Sequence, residues 1–94
     1  MDTPAIRHEG DRQRFVVEVD GHEGFVEYER EGDVLVVVHT VVPPEIGGRG
    51  IAGKLVKAAL DHARAEGLQV LPRCSYTDAY MRRHPEYEDL RAAG

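Results

Sequence analysis

The residues best suited to bind a ligand form a glycine-rich stretch, Gly47–Lys54, which reads Gly-Gly-Arg-Gly-Ile-Ala-Gly-Lys. A run of β-branched residues precedes it, and an amphipathic segment that continues to Glu66 follows it. A strand, a glycine turn and a helix start in this order favour an anion site. Glycines let backbone N–H groups approach a ligand, and the helix N-terminus carries partial positive charge. We therefore expect this turn to hold the pyrophosphate of a nucleotide-like cofactor.

Two nucleotide-binding patterns match this stretch by spacing but fail on context. Gly48 to Leu55 follows the P-loop pattern G-x-x-x-x-G-K-[ST], but Leu55 stands where a hydroxyl would hold Mg²⁺. The same glycines fit G-x-G-x-x-G, yet the segment about 20 residues further on, Leu68–Pro72, contains no acidic residue. A nucleoside triphosphatase and a dinucleotide-binding domain are therefore disfavoured. A turn that is only structural remains the alternative.

Cys74 and His39 are the side chains best suited to catalysis. A nucleophilic cysteine needs a lowered pKa, and Cys74 follows Arg73 and directly precedes a predicted helix. His39 can act as a general base, because the ordinary pKa of histidine lies near neutral pH. The alternatives are a small buried residue at a strand end for Cys74 and a histidine bonded within the sheet for His39. The two residues fall on strands that should be neighbours, so the sequence allows a Cys–His pair.

Composition limits the class of protein. The chain has 94 residues, enough for one domain with one modest core. Its formal net charge of −5 argues against a general nucleic-acid binder, which needs a basic surface. One cysteine, no signal-peptide pattern and no long apolar run favour a cytoplasmic protein without membrane contact. The histidines His8, His22 and His62 are dispersed, so no metal site is expected.

Three β-rich runs precede the glycine stretch. Residues 1–13, before these runs, are mostly polar and are expected to form a loose N-terminal arm. The runs are Phe15–Val19, Phe25–Arg30 and Val34–Val42, and the short turns between them predict an antiparallel meander. The third run is almost continuously β-branched, which is typical of a central strand covered on both faces.

From Gly50 the spacing of apolar residues changes to that of a helix with one buried side. Gly67 is the expected end of that helix. Leu68–Pro72 then has the composition of a short strand, so the strand–helix–strand unit predicts a right-handed parallel crossover. Tyr76–His84 predicts a second, shorter helix, and Glu86–Ala92 a final turn.

The glycine turn resembles motif A of the GNAT superfamily of acyltransferases, usually written [QR]-x-x-G-x-[GA]. Gly50 and Ala52 match, whereas Gly47 stands where the family has Gln or Arg. More narrowly, the chain resembles a compact subfamily of small acetyl-CoA-binding proteins over about residues 14–90. Further matching segments are His39–Pro43, Pro72–Tyr76 and Arg83–Tyr87. The resemblance implies one domain, residues 1–94, of α/β class, with a mixed and mostly antiparallel sheet, a central motif A helix and a short C-terminal helix.

The resemblance implies that acetyl-CoA is the cosubstrate. Its pantetheine arm would enter where two parallel strands splay apart, pairing with the backbone of Val41 and Val42, and the turn amides would cradle the pyrophosphate. Arg49 or Lys54 would compensate for the side chain that is missing at Gly47. The residues implied to bind acetyl-CoA are Val41, Val42, Gly47, Gly48, Arg49, Gly50, Ile51, Ala52, Lys54, Tyr76 and Arg83.

The resemblance also bears on catalysis. Cys74 would lie close to the thioester and contact or attack the acetyl group. Many enzymes of the family place a tyrosine general acid on the following helix, at a position that Arg83 occupies here. That acid is therefore missing, and Tyr76 and Tyr80 are nearby substitutes. Arg83 would contact the phosphates of coenzyme A or belong to a solvated basic helix face.

Two classes of function follow from these residues. One is an N-acetyltransferase that moves acetyl from acetyl-CoA to an unidentified amine, thiol or protein acceptor, with Cys74 and His39 near the transfer point. The other is a non-catalytic module that binds acetyl-CoA or CoA, with a protein-interaction domain as a weaker variant. A tight turn leads from Val19 straight into the next strand, so the helices that wall the acceptor site in larger members are not predicted. The acceptor side should then be open, or completed by a partner in a monomer or weak homodimer.

Overall fold

The structure, a computed structural model, describes residues 5–92 of the chain. Five strands form one sheet in chain order; the first four are antiparallel to their neighbours and the last pair is parallel. The elements are β1 Arg7–Glu9, β2 Arg14–Val19, β3 His22–Glu31, β4 Val34–Val41, α1 Ile51–Ala65, β5 Gln69–Pro72 and α2 Ser75–Arg83. The predicted α/β fold, with its mixed and mostly antiparallel sheet, is confirmed. None of the helices within residues 5–92 is long and apolar enough to cross a membrane.

The N-terminal segment is more ordered than the expected loose arm over residues 1–13. Within it, β1 pairs antiparallel with β2, and a 3-10 turn at Gly10–Arg12 joins the two strands. The ring of His8 stacks on Phe15 with centroids 4.2 Å apart. Polar composition concealed this strand, because its contacts are made by polar and aromatic side chains rather than by an apolar run. Residues 1–4 lie outside the described part of the chain.

Helix α1 places its apolar stripe against one face of the sheet. Its buried residues are Ile51, Leu55, Val56, Ala59, Leu60 and Ala63. Gly67 follows the helix with a φ of +70°, and the Leu68 amide donates to the Ala63 carbonyl at 2.8 Å. This left-handed glycine ending agrees with the predicted position. The parallel pairing of β4 with β5 confirms the crossover, so α1 starts at the same end of the sheet where β4 finishes.

Strand β4 contains a β-bulge, which the sequence did not reveal. Val37 lies opposite Tyr28 and His39 opposite Glu27, so Val38 has no residue of its own across the ladder. The expectation of a strand buried on both faces is therefore wrong beyond Val37, where β4 becomes partly exposed. An extra residue shifts the alternation by one and bends the strand. As a result, Thr40 and not His39 shares the helix-covered face with Val37.

The bulge coincides with the point where β4 and β5 part. Their pairing ends at Val37 and Pro72. The amides of Arg73 and Cys74 then both donate to the Val37 carbonyl, at 3.0 and 3.1 Å, and the chain turns into α2. Strand β4 continues over residues 38–41 with no strand paired on that side among the described residues. We call this opening the β4–β5 gap.

Candidate active site

The glycine turn leaves the N-terminus of α1 uncapped. Gly48 and Gly50 both have a φ of +74°, a conformation that favours glycine. Gly50 is the N-cap residue and provides no capping side chain, and the first turn of α1 contains no acidic residue. A Cβ built on Gly48 or Gly50 would meet no protein atom within 4 Å, so the space outside the turn is open. Unpaired amides, open space and the helix dipole together fit a phosphate group.

The two basic side chains near the turn, Arg49 and Lys54, do not point to an obvious replacement for the side chain missing at Gly47. Arg49 donates to the carboxylate of Asp20, in the β2–β3 turn, at 2.7 Å. Lys54 lines a shallow surface groove on the outer side of α1 together with Lys57 and Asp61. The Gly47 amide donates to a carbonyl of the preceding 3-10 turn. Compensation for Gly47 by Arg49 or Lys54 thus stays a prediction, and for Arg49 it requires release from Asp20.

Two of the residues predicted to bind the cofactor lie on the elements that border the β4–β5 gap, Val41 at the end of β4 and Tyr76 at the start of α2. Val41 is 42% exposed and Tyr76 is 41% exposed, both high values for large apolar or aromatic side chains. Val42, by contrast, packs partly against the core. The Tyr76 hydroxyl lies 3.4 Å from the point where a Cβ on Gly53 would stand. Gly53, which sequence reasoning did not single out, therefore allows α2 to approach the first turn of α1 closely.

Cys74 lies inside the gap, on the helix-covered face of the sheet. It is half-buried, it immediately precedes α2, and its sulfur lies 3.4 Å from the Thr40 hydroxyl oxygen. Burial alone raises the pKa of the Cys74 thiol. The Thr40 hydroxyl and the backbone amides of Tyr76 and Thr77 at the start of α2 favour the thiolate and outweigh burial, so this pKa lies below its ordinary value. At a given pH, a larger fraction of Cys74 is therefore ionised to the thiolate than in a free cysteine.

His39 lies on the other face of the sheet. It sits across the ladder from Glu27 and is exposed. Together with Arg12, Gln13 and Glu29 it lines a groove of about 290 Å³, which we call the open groove. The Cys–His pair allowed by the sequence is not formed, because Cys74 contacts Thr40 on the helix-covered face of the sheet and His39 lies on the other face. Simple alternation from Val37 would have put His39 beside Cys74, and the bulge puts Thr40 there instead.

The second half of α2 carries the remaining predicted residues. Tyr80 stacks on His84 with centroids 4.0 Å apart, and burial raises the pKa of its hydroxyl. Arg83 is exposed as the last residue of α2, and it makes no salt bridge within residues 5–92. Tyr76 and Tyr80 both reach Gly53, at the N-terminus of α1. The two residues predicted to substitute for the missing general acid thus lie beside the glycine turn.

Comparison with known proteins gives a consistent result. A family model described as GCN5-related N-acetyl-transferase matches residues 14–90. Protein NATD1 of Gallus gallus is 39% identical over 83 residues, which cover 85% of this chain and 76% of that protein. Protein NATD1 of Homo sapiens is also 39% identical, over 85% of this chain and 74% of its own length.

A solution structure obtained by NMR, of a GCN5-like protein from Staphylococcus aureus, superposes with a TM-score of 0.76 and 25% identity. The superposition covers 100% of this chain and 93% of that one. These matches confirm the resemblance that begins at the glycine turn. The chain therefore belongs to the GCN5-related N-acetyltransferase family.

Proposed function

We propose that the protein binds acetyl-CoA and transfers its acetyl group to an amine or thiol acceptor. The observation that carries this proposal is the alignment of two openings. The uncapped N-terminus of α1 and the β4–β5 gap lie at the same end of the sheet, and Cys74 lies in the gap. A pyrophosphate at the turn and a thioester in the gap would be the two ends of the pantetheine arm of acetyl-CoA.

The binding contacts follow from the backbone. The amides between Gly48 and Ala52 donate to the pyrophosphate, and charge-assisted bonds of this kind are stronger than neutral ones. The backbone of Val41 and Val42, which has no β5 partner, pairs with the pantetheine amides. Tyr76 covers the arm at the entrance to the gap, and Arg83 contributes positive charge for the outer phosphates. In this proposal, Gly47 loses little by lacking a side chain, because amides do most of the binding.

The positions of Cys74 and His39 define two routes for the acetyl group. In the first, the Cys74 thiolate attacks the thioester carbonyl, the carbon–sulfur bond to coenzyme A breaks, and the coenzyme leaves as a thiolate that takes up a proton. In the second, an amine enters from the open groove, His39 accepts its proton, and the amine nitrogen attacks the same carbonyl. The carbon–sulfur bond then breaks, and coenzyme A leaves as a thiolate that takes up a proton. Because His39 and Cys74 are on opposite faces, each residue belongs to its own route.

The open groove suits a cationic acceptor. Glu27 and Glu29 line it from β3 and His39 lines it from β4, so two carboxylates outweigh the guanidinium of Arg12, which also lines the groove. No helix covers this part of the sheet among residues 5–92, so the acceptor can be a small amine or a side chain of another protein. A purely binding role is the second candidate, and Arg83 at the position of the family's tyrosine acid favours it.

Binding and mass, measured together, test the proposal. Acetyl-CoA is titrated by calorimetry and the protein is then weighed intact. We expect saturable binding, and a mass gain of one acetyl group that is absent in Cys74→Ala. Binding without adduct and without transfer to a panel of amines would leave only the binding module. Absence of binding would refute the cosubstrate itself.

A matched pair of glycine variants tests the turn. Gly50→Val and Gly32→Val both force a side chain into a positive-φ position with no protein atom nearby. We expect acetyl-CoA to bind about tenfold more weakly to Gly50→Val, a loss of roughly 1.4 kcal/mol. Gly32 lies at the opposite end of β4, so Gly32→Val should bind normally. Equal affinities in the two variants would contradict a phosphate site at the turn.

A further inference from the structure

Thr77 is a buried polar residue that the proposed binding contacts do not use. Its side chain is 0% exposed, and its hydroxyl has no hydrogen-bond partner in the described part of the chain. A buried hydroxyl without a partner is destabilising, so such groups usually find one. A threonine inside a helix commonly bonds the carbonyl four residues earlier, and Thr77 does not. The hydroxyl therefore needs another explanation.

The position of Thr77 in α2 supplies that explanation. Cys74 is the N-cap residue of α2 and Thr77 is the third residue of the helix. In a capped helix an N-cap side-chain oxygen of Ser, Thr, Asp or Asn accepts a hydrogen bond from the backbone amide of the second or third helical residue. The side chain of that third residue lies on the same face of the helix as the N-cap side chain. Here the N-cap atom is sulfur, and no capping bond of ordinary geometry is made. A neutral thiol is a weak acceptor, whereas a thiolate is an anion at a helix N-terminus.

The groups that face the sulfur are uncharged donors. Thr40 approaches it from β4, and the amides of Tyr76 and Thr77, with the Thr77 hydroxyl, approach it from α2. Among charged groups nearby, Arg73 is exposed at the end of β5, and the Asp78 carboxylate is held by arginines, the nearer contact being 2.6 Å. His39 projects from the other face of β4. Among residues 5–92 no charged group contributes to the pKa shift of Cys74, so the uncharged donors must provide the stabilisation.

We propose that Thr77 is a positioning residue whose hydroxyl is held without a partner so that it can donate to the Cys74 thiolate. Thr40 provides a second hydroxyl from the opposite side, and the start of α2 provides amides between them. Ionisation of Cys74 would then complete the cap of α2 and remove the unpaired hydroxyl at the same time. This inference rests on the proposed role of Cys74, but its test needs no acetyl-CoA.

The rate at which iodoacetamide alkylates the protein reports on this arrangement directly, because Cys74 is the only cysteine of the chain. The midpoint of the rate against pH gives the thiol pKa. We expect Thr77→Val, which keeps the shape and loses the hydroxyl, to raise the midpoint and slow alkylation at neutral pH by about tenfold per pKa unit. Thr77→Ser should restore the wild-type midpoint, and Met81→Leu, a volume-conserving change on the same helix, should leave it unchanged.

Two results would overturn the inference. One is a folded Thr77→Val with the wild-type midpoint, which would reduce Thr77 to a space-filling residue. The other is a wild-type midpoint at the ordinary cysteine value of about 8.5, which needs no variant and holds even if Thr77→Val fails to fold. Acetyl-CoA calorimetry on the same proteins separates the two proposals. If either of these two alkylation results is found and acetyl-CoA still binds normally, only the role of Thr77 is refuted.

Discussion

At the scale of single residues, the main feature is the separation of the two candidate catalytic groups. Cys74 shares a face with Thr40, and His39 shares a face with Glu27. A thiol beside donors at a helix start is built to be an anion, whereas an exposed histidine beside a carboxylate can receive a proton from an incoming amine. The two residues should therefore respond independently to substitution.

We expect His39→Gln to slow acetyl transfer to an external amine by about a hundredfold, the lower range for general base catalysis. The same variant should alkylate at Cys74 with the wild-type pH midpoint, because the histidine is on the other face. Transfer rates with a polyamine acceptor and alkylation rates give the two readouts. Coupled losses in both readouts would mean that the two residues act as a pair after all.

The contact between Arg49 and Asp20 leads to a second prediction at this scale. Asp20→Asn keeps the shape and tolerates the φ of +51°, but it removes the charge that holds Arg49. Freed Arg49 should bind the pyrophosphate, tightening acetyl-CoA binding up to about fivefold, as for an exposed ion pair. The gain should shrink at high salt. Asp89→Asn, which breaks a different exposed pair with Arg64, is the control and should not change the affinity.

At the scale of elements, the main feature is that segments near both ends of the chain make side-chain contacts with α1. The C-terminal 3-10 segment, Pro85–Leu90, is joined to α1 by the Tyr87 hydroxyl, which donates to Asp61 at 2.6 Å. Arg64 binds the Asp89 carboxylate with both terminal nitrogens, at 3.0 Å each. At the other end of the chain, β1 reaches α1 through His8, whose ring contacts His62 edge-on.

Tyr87→Phe should lower the free energy of unfolding by about 1 kcal/mol, the usual net value of one hydrogen bond. The ring remains and only the bond to Asp61 is lost, so packing should be unchanged. Urea denaturation measures the difference. Tyr76→Phe, which alters an exposed tyrosine, serves as the control, and an equal loss in both variants would contradict the assignment.

The contact of β1 with α1 should depend on pH. Partial burial and then the neighbouring His62 lower the pKa of His8 below the ordinary 6.5, while Glu66 opposes them. As pH falls through 6.5, the unfolded chain takes up the proton first, so stability is lost until the folded form is protonated as well. Urea denaturation at about pH 7.5 and about pH 5.5 should show this loss, reduced in His8→Gln. His39→Gln, on the other face, should retain it.

At the scale of the whole molecule, the sequence predicted the parts that local patterns determine. The stripe of α1, the ending at Gly67 and the parallel crossover all follow from spacing and composition, and all are present. Strand β1 was not predictable, since it depends on contacts such as His8 with Phe15 that no local pattern encodes. The bulge at Val38 was also hidden, because a run of valines has no alternation from which a shift can be detected. The faces of His39 and Thr40 followed from that shift.

The bulge makes the shape of the β4–β5 gap depend on the number of residues in β4 more than on their chemistry. Val38→Thr should leave acetyl-CoA binding intact, because the extra residue is still present. Deleting Val38 would keep Val37 opposite Tyr28 and His39 opposite Glu27, now as consecutive pairs of a regular ladder. The straightened strand would then continue alongside β5 and close the β4–β5 gap. Such a chain should fold, circular dichroism should show the same sheet, and calorimetry should detect no acetyl-CoA binding. In relatives of this protein, an insertion or deletion of one residue at this point would therefore be a better guide to cosubstrate binding than any substitution there.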